Sequence, residues 1–195
     1  MSMIKPWLPL SLLTIALLTL SACGNMADDL NPSGEDLRPA VTANSIGSQP
    51  SQIAADFSAP ATNGTTFKLS DHLLGGATPA DAVVLYFTMW CPICISHTDH
   101  LLFNIIPQFQ TRGTVRYVLV DYVSGSIAST TVSEAVNGYA GSIFITIADE
   151  NQSLLNQFQG AMGKTIVIDK NGVIQMNEDF RTGDNLIQTL NAILP

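Results

Sequence analysis

The distribution of apolar residues predicts one α/β domain in the larger, C-terminal part of this 195-residue chain. Residues 82–87 (Ala-Val-Val-Leu-Tyr-Phe) form a continuous apolar run, which is typical of a strand buried on both faces. Further strand-like runs occupy residues 115–120, 143–147, 165–168 and 173–176. Because Asn171-Gly172 separates the last two, we expect them to pair as a hairpin.

Helical patterns alternate with these runs. The longest extends from Pro92 to about Phe109, with Pro107 expected to kink or end it. Shorter helices are predicted at residues 131–139, 152–158 and 184–193, and a small hairpin centred on Asn63-Gly64 precedes the first strand. This order predicts an α/β fold with a mixed, mostly parallel central sheet, helices on both faces and an N-terminal hairpin.

The N-terminus has the pattern of a targeting segment. Trp7 to Leu20 is almost wholly apolar but shorter than the roughly 20 residues that a membrane span needs, so a signal peptide is favoured. The run ends in Leu20-Ser21-Ala22-Cys23, which resembles the bacterial lipoprotein box. The resemblance implies removal of residues 1–22, lipidation of Cys23 and, with Gly24 next, sorting to the outer membrane. The alternative is an ordinary signal peptide, or an uncleaved anchor, with an incidental Cys.

The segment that follows is polar and has no helical or alternating period. Residues 24–52 are dominated by Asn, Ser, Gly, Pro, Asp, Glu and Gln, which predicts a flexible tether. The predicted organisation is therefore a signal peptide at 1–22, a lipidated tether at 23–52 and one domain at 53–195.

Composition narrows the range of partners. The chain is 46% hydrophobic and 12% charged, with a net charge of -8. An acidic protein with few clustered basic residues is not expected to bind nucleic acid. It is not expected to bind anionic lipid through its surface either, so a lipid on Cys23 would be the membrane attachment.

The candidate chemistry lies in Trp90-Cys91-Pro92-Ile93-Cys94, between the apolar strand and the longest helix. A cysteine at a helix N-terminus is stabilised as a thiolate by unpaired N–H groups and the helix dipole, which favours Cys91 as a nucleophile. Pro92 suits the first helical position, where its missing N–H is not needed. Two intervening residues leave Cys94 able to resolve a mixed disulfide on Cys91.

In this context the domain resembles the thioredoxin superfamily, and within it the redoxin and TlpA-like branch. The resemblance is carried by residues 56–71, by 85–94 with the Cys-Pro-Ile-Cys motif, and by 165–172. It implies a thioredoxin-like fold in which Cys91 is the catalytic nucleophile and Cys94 the resolving thiol. The redox-active Cys91–Cys94 disulfide would serve without any further cofactor.

Three positions depart from the family pattern. Leu85 stands where many thioredoxins carry a buried acid, and His97 where the cytochrome-maturation branch often has Glu. Gly163, preceded by Met162, occupies the place of the cis-proline. Residues three apart share a helix face, so His97 is a candidate proton acceptor for Cys94.

The substrate-facing residues are predicted to be Trp90, Pro92, Met162 and Gly163. Because a non-proline cis bond costs about 2.5–4 kcal/mol, the Met162–Gly163 peptide should be trans. Glycine leaves space beside Cys91, so we expect this loop to be wide and mobile and Gly163→Pro to raise reductase activity.

These observations predict a monomeric, lipid-anchored thiol-disulfide oxidoreductase on the periplasmic face of the outer membrane. Its partners would be extracytoplasmic protein thiols or disulfides and a membrane electron donor. Covalent haem is excluded because Ile95, not His, follows Cys94, and ligands for structural zinc are not apparent.

Two alternatives remain open. The first is a peroxiredoxin-like, antioxidant peroxidase, which Thr88, three residues before Cys91, would suit. Against it, Val84 stands where such a site is expected to have proline, and no Arg is convincingly placed to polarise a peroxide. A Cu(I) metallochaperone would use the soft thiolates of Cys91 and Cys94 as ligands.

Overall fold

The continuous apolar run forms the central strand of a five-stranded sheet in the computed structural model, which describes residues 40–195. The strands are β1 (Ser58–Pro60), β2 (Thr66–Lys68), β3 (Ala82–Thr88), β4 (Val115–Asp121), β5 (Ile145–Ala148), β6 (Lys164–Asp169) and β7 (Ile174–Asp179). The order in the large sheet is β5-β4-β3-β6-β7, with β3 parallel to β4 and antiparallel to β6. β1 and β2 form the separate N-terminal hairpin. The mixed sheet and both hairpins agree with the sequence prediction.

Helices cover the sheet near the predicted positions. They are α1 (Pro92–His100), continued by a π-helical turn (Leu101–Ile105) and by α2 (Ile106–Phe109), then α3 (Ile127–Val136), α4 (Ser153–Phe158) and α5 (Asp184–Ile193). α3 begins four residues earlier than its apolar pattern indicates, because the Ser126 side chain caps it by accepting from the Ser129 N–H. No helix within residues 40–195 is both long and apolar enough to cross a membrane.

Pro107 does not end the long helix. In a regular α-helix its ring would clash with the carbonyl of Phe103, and it has no N–H to donate. The preceding turn widens instead, and the Ile106 N–H bonds to the Leu101 carbonyl five residues back. The helix therefore reaches Phe109, with a bulge in place of a break.

The side chains of β3 alternate between two apolar layers. Val84 and Tyr86 pack in the layer that contains the π-helical turn and α5. Leu85 and Phe87 pack in the opposite layer, with the N-terminal hairpin and α4. All seven residues of β3 are buried, as expected for a central strand covered on both faces.

The domain begins earlier than the polar composition indicates. The compact unit starts at Val41, so residues 41–52, predicted as part of a tether, belong to the domain. The Ser51 N–H bonds to the Ile174 carbonyl, and the Ile174 N–H bonds to the Gln52 carbonyl. These backbone bonds extend the edge of β7, and an edge strand needs no apolar period to pair in this way. Residues 1–39, including Cys23 and the predicted signal peptide, lie outside the described residues.

A buried carboxylate joins the loops at the end of β4 to the start of the candidate site. Asp121 is 1% exposed, and Oδ2 accepts from the Trp90 Nε1–H at 2.8 Å and from the Thr130 hydroxyl at 2.9 Å. Its Oδ1 accepts from the N–H groups of Val123 and Ser124. Burial acts to raise the pKa of Asp121, but these hydrogen bonds outweigh it and lower the pKa below its ordinary value.

We expect Asp121→Ala to lower the free energy of unfolding at neutral pH by about 3 kcal/mol or more, since each hydrogen bond to a charged group contributes about 1.5–3 kcal/mol. Chemical denaturation measures this loss. Because the folded-state pKa of Asp121 is depressed, its contribution disappears as the pH falls through that pKa, and wild type and variant should converge in acid. The control is Asp179→Ala, which removes an exposed carboxylate 3.6 Å from Lys164 and should cost only about 0–1 kcal/mol. Equal losses in the two variants would contradict the role given to Asp121.

Candidate active site

Two free thiols lie close together where β3 ends and α1 begins. Cys91 is the N-cap of α1, and Pro92 is its first residue. The Sγ atoms of Cys91 and Cys94 lie 3.0 Å apart, and the Cys94 N–H donates to Cys91 Sγ at 3.3 Å. Cys91 is half-buried, whereas Cys94 is fully buried below it. The structure thus brings together the two cysteines that the motif predicts.

The pKa values of the two thiols are displaced in opposite directions. Partial burial acts against the Cys91 thiolate, but hydrogen bonds from the Cys94 thiol and from the N–H groups of Cys94 and Ile93 outweigh it and lower the pKa of Cys91. Burial raises the pKa of Cys94, and its hydrogen bond to Cys91 and the charge of that thiolate raise it further against an opposing bond from the Met89 backbone. Cys91 therefore has the greater thiolate character of the two, and Cys94 the smaller.

The space beside Cys91 is filled by a thioether. Met162 Sδ lies 3.4 Å from Cys91 Sγ, although the residue as a whole is 41% exposed. The expectation of an open gap beside the nucleophile is therefore wrong. The residue before glycine, not the glycine itself, occupies the position next to the sulfur.

Gly163 is held more firmly than expected. Its N–H donates to the Phe87 carbonyl at 3.0 Å, and its carbonyl accepts from the Phe180 N–H at 2.8 Å. The peptide bond from Met162 is trans, as predicted. Gly163 has φ +77°, so proline, whose φ is fixed near −65°, would distort the backbone and remove the bond to Phe87. These contacts contradict the predicted wide loop, and the backbone distortion that proline would introduce argues against the predicted gain of activity in Gly163→Pro.

Tyr86 contacts His97 and lies close to the resolving thiol of Cys94. The Tyr86 hydroxyl is 3.0 Å from His97 Nδ1. Burial raises the pKa of Tyr86, and so do the charges of Cys94 and Cys91 and a hydrogen bond with Cys94. Burial also lowers the pKa of His97, with a smaller effect from His100. His97 is therefore neutral at pH 7 and able to accept a proton.

Tyr86 is the residue that sequence reasoning missed. Tyr86 lies inside the apolar run, where the pattern indicates only a core residue that packs against its neighbours. The alternation of β3 provides a signal: Leu85, at the position of the thioredoxin acid, faces the opposite layer, while Tyr86 faces the layer under α1.

Of the other predicted substrate-facing residues, Trp90 is held by side-chain contacts and Pro92 is exposed. The Trp90 indole is half-buried, tied to Asp121 and stacked on Tyr139 at a centroid separation of 6.3 Å. Trp90 also has φ +60°, a strained value that fixes the turn between β3 and α1. Pro92 and Ile93 are exposed beside Cys91. The accessible rim of the thiol pair is therefore apolar.

Two arginines of the described domain, Arg116 and Arg112, have no contact with the thiols. Arg116 pairs with Val83, five residues along β3 from Thr88, which corresponds to about 16 Å of strand. Arg112 contacts Asn191 and the Pro195 carbonyl near the C-terminus. Thr88 is buried, and its hydroxyl accepts from the Trp90 N–H at 3.1 Å. This arrangement does not supply the cation that a peroxidase uses to polarise a peroxide, at least from Arg112 or Arg116.

Residues 39–183 match the sequence model of the redoxin family. Among solved structures, a candidate thiol:disulfide interchange protein DsbE from Chlorobium tepidum is 21% identical, with a TM-score of 0.58 over 74% of this chain and 97% of that chain. The exposed lipoprotein thioredoxin of Streptococcus pneumoniae is 24% identical, with a TM-score of 0.54 over 71% and 99%. Peroxidoxin BcpB from Mycobacterium tuberculosis is 21% identical, with a TM-score of 0.56 over 72% and 95%. No curated protein is significantly similar in sequence. These similarities confirm the thioredoxin-like α/β fold.

Proposed function

Because this chain belongs to the redoxin family, we propose that it is a membrane-tethered, extracytoplasmic thiol-disulfide oxidoreductase that uses the Cys91–Cys94 pair on protein thiols or disulfides. Family membership is consistent with an oxidoreductase, as the sequence predicts. The redox-active disulfide is proposed as the only cofactor, and a membrane electron donor as the source of reducing equivalents.

The asymmetry of the thiol pair carries the proposal. Cys91 is accessible and its pKa is lowered, whereas Cys94 is fully buried and its pKa is raised. A thiol with thiolate character attacks a disulfide, and a protected neighbour completes the exchange. The exposed Pro92 and Ile93 beside Cys91 suit contact with apolar parts of a protein substrate.

In the reductive direction, the Cys91 thiolate attacks one sulfur of a substrate disulfide. A Cys91–substrate bond forms, and the other substrate sulfur leaves as a thiolate. Cys94, once deprotonated, attacks Cys91 Sγ, so that the Cys91–Cys94 disulfide forms and the second substrate sulfur leaves. The protein dithiol loses two electrons, and the substrate disulfide gains them. The proposed membrane donor returns the pair to the dithiol.

Tyr86 and His97 provide a route for the proton that Cys94 must lose. In this route the Cys94 S–H passes its proton to the Tyr86 oxygen while the Tyr86 hydroxyl passes its own proton to His97 Nδ1. The 3.0 Å contact between the Tyr86 hydroxyl and His97 Nδ1, together with the closeness of Tyr86 to Cys94, supports this route. Because burial lowers the pKa of His97, its ring is neutral at pH 7, and in the tautomer protonated on Nε2 it can accept a proton at Nδ1.

We also propose that the protein is anchored by lipid on Cys23 at the periplasmic face of the outer membrane, as a monomer. Leu20-Ser21-Ala22-Cys23-Gly24 supports this proposal. Several acyl chains would make the attachment stable, since each buried CH₂ contributes about 0.8 kcal/mol.

Cys94→Ser should trap disulfide-linked complexes through Cys91, because the mixed disulfide forms and is not resolved. Non-reducing electrophoresis after exposure to oxidised insulin measures these complexes. Cys91→Ser is the matched control and should trap none, and the wild type should reduce insulin with dithiothreitol as donor. Complexes through Cys94, or alkylation of Cys94 before Cys91, would show that the roles are reversed.

Tyr86→Phe should slow decay of the mixed disulfide about a hundred-fold or more, the size expected for lost general base catalysis, while alkylation of Cys91 stays unchanged. In the wild type, decay should slow as the pH falls through the lowered pKa of His97, below the ordinary value of about 6.5, because protonated His97 accepts no further proton. His97→Phe should lose this pH dependence. His72, which stacks on Phe67, offers the control His72→Gln. An unaltered pH profile in His97→Phe would remove the proton route and leave the thiol exchange intact.

Intact-mass measurement of the membrane fraction should show residues 1–22 removed and Cys23 acylated. Cys23→Ser is expected to move the protein to the soluble fraction, because the lipid on Cys23 is the proposed membrane attachment. Recovery of an unmodified Cys23 from the soluble fraction of wild-type cells would rule out the anchor.

A further inference from the structure

Three sulfur atoms lie close to one another, with those of Cys91 and Met162 on accessible residues and that of Cys94 buried. Cys91 Sγ contacts both Cys94 Sγ, at 3.0 Å, and Met162 Sδ, at 3.4 Å. Thiol-disulfide exchange uses the two cysteines and assigns no chemical role to the thioether. The thioether is nevertheless directed at the nucleophile by a backbone that is bonded on both sides of Gly163.

We propose that the reduced protein binds one Cu(I) ion through Cys91 Sγ, Cys94 Sγ and Met162 Sδ. Thiolate and thioether sulfurs are soft ligands, and soft ligands select Cu(I) over harder divalent ions. Residues 40–195 contain no cluster of three or more His, Cys, Asp or Glu side chains that would hold a metal ion. A tetrahedral zinc site therefore lacks its usual ligands in this part of the chain.

The two sulfur–sulfur distances that involve Cys91 are close to those of a three-coordinate ion. With metal–sulfur bonds of about 2.3 Å, as for zinc thiolates, three sulfurs around a trigonal ion lie about 4 Å apart. The Cys91–Cys94 and Cys91–Met162 sulfur pairs would open by about 1 Å or less to reach this spacing. Cys91 and Met162 are accessible, and methionine adapts through three rotatable bonds.

The local charges also suit a monovalent cation. Two thiolates and one Cu(I) carry a net charge of −1, and the Cys94 N–H at the start of α1 donates to Cys91 Sγ. Binding displaces the protons held by the thiols, so affinity should rise with pH. A Cys91–Cys94 disulfide has no thiolates to offer, so only the reduced protein should bind. Copper binding and thiol exchange would thus compete for the same sulfurs.

The test is anaerobic Cu(I) titration of the full-length protein against a chromogenic Cu(I) chelator. Reduced wild type should bind one Cu(I) per chain, and the oxidised protein and Cys91→Ser should lose this site. Since losing even an outer partner of a metal ligand costs about 10–100-fold in affinity, Met162→Leu should weaken binding at least about ten-fold. X-ray absorption should show three sulfur neighbours in wild type and two in Met162→Leu.

Met89→Leu is the matched control, because Met89 is also an exposed methionine next to the motif. Among the hydrogen-bonded pairs of the described domain, Cys91 contacts the sulfur of Met162 but not that of Met89. The Cu(I) affinity of Met89→Leu should equal that of the wild type. Equal affinities for Met162→Leu and Met89→Leu, or no binding by the reduced wild type, would overturn the proposal. Insulin reduction by the same preparations separates this failure from failure of the thiol-disulfide function, since exchange needs only the two cysteines.

Discussion

The burial of β3 on both faces is the constraint on which the rest of the site depends. A strand without solvent contact has a fixed register, because a slip of one residue would turn every side chain to the wrong layer. Its pleat directs Tyr86 towards the helix that carries the thiols and Leu85 away from it. Its last residue, Thr88, holds the Trp90 N–H and so fixes the turn that presents Cys91. Strand geometry therefore determines which side chains can take part in proton transfer.

This geometry accounts for Leu85 at the position where many thioredoxins carry a buried acid. An acid at position 85 would need a partner in a layer that is otherwise apolar, and a buried unpaired carboxyl is costly. A hydroxyl at position 86 carries no charge, and it lies 3.0 Å from His97 Nδ1. The proton route proposed here thus uses a neutral pair, whose members are kept neutral by the same burial that protects Cys94.

Much of the fold follows from the sequence because its signals are local. The run 82–87, the Asn171-Gly172 turn and the period of residues 184–193 each specify one element, and each element is found within a residue or two of its predicted place. The candidate thiols also follow, since strand, motif and helix start are contiguous. The boundary at Val41 does not, because residues 41–52 pair through backbone groups that leave no apolar pattern.

The contacts of Tyr86 and Met162 depend on tertiary structure in a way that spacing along the chain does not reveal. Met162 is 71 residues from Cys91 in sequence and reaches it only because β6 lies beside β3. Gly163 permits this approach through its φ of +77°, which turns the chain so that the preceding side chain covers the thiol. In the family pattern a proline ring stands at this place, whereas here a flexible, polarisable sulfur does. The loop stays anchored through the backbone bonds of Gly163, but Cys91 lies against a soft thioether sulfur in place of a rigid proline ring. Because Met162 Sδ lies 3.4 Å from Cys91 Sγ, the side chain that would complete the proposed copper site would also cover one side of the thiol against an extended substrate.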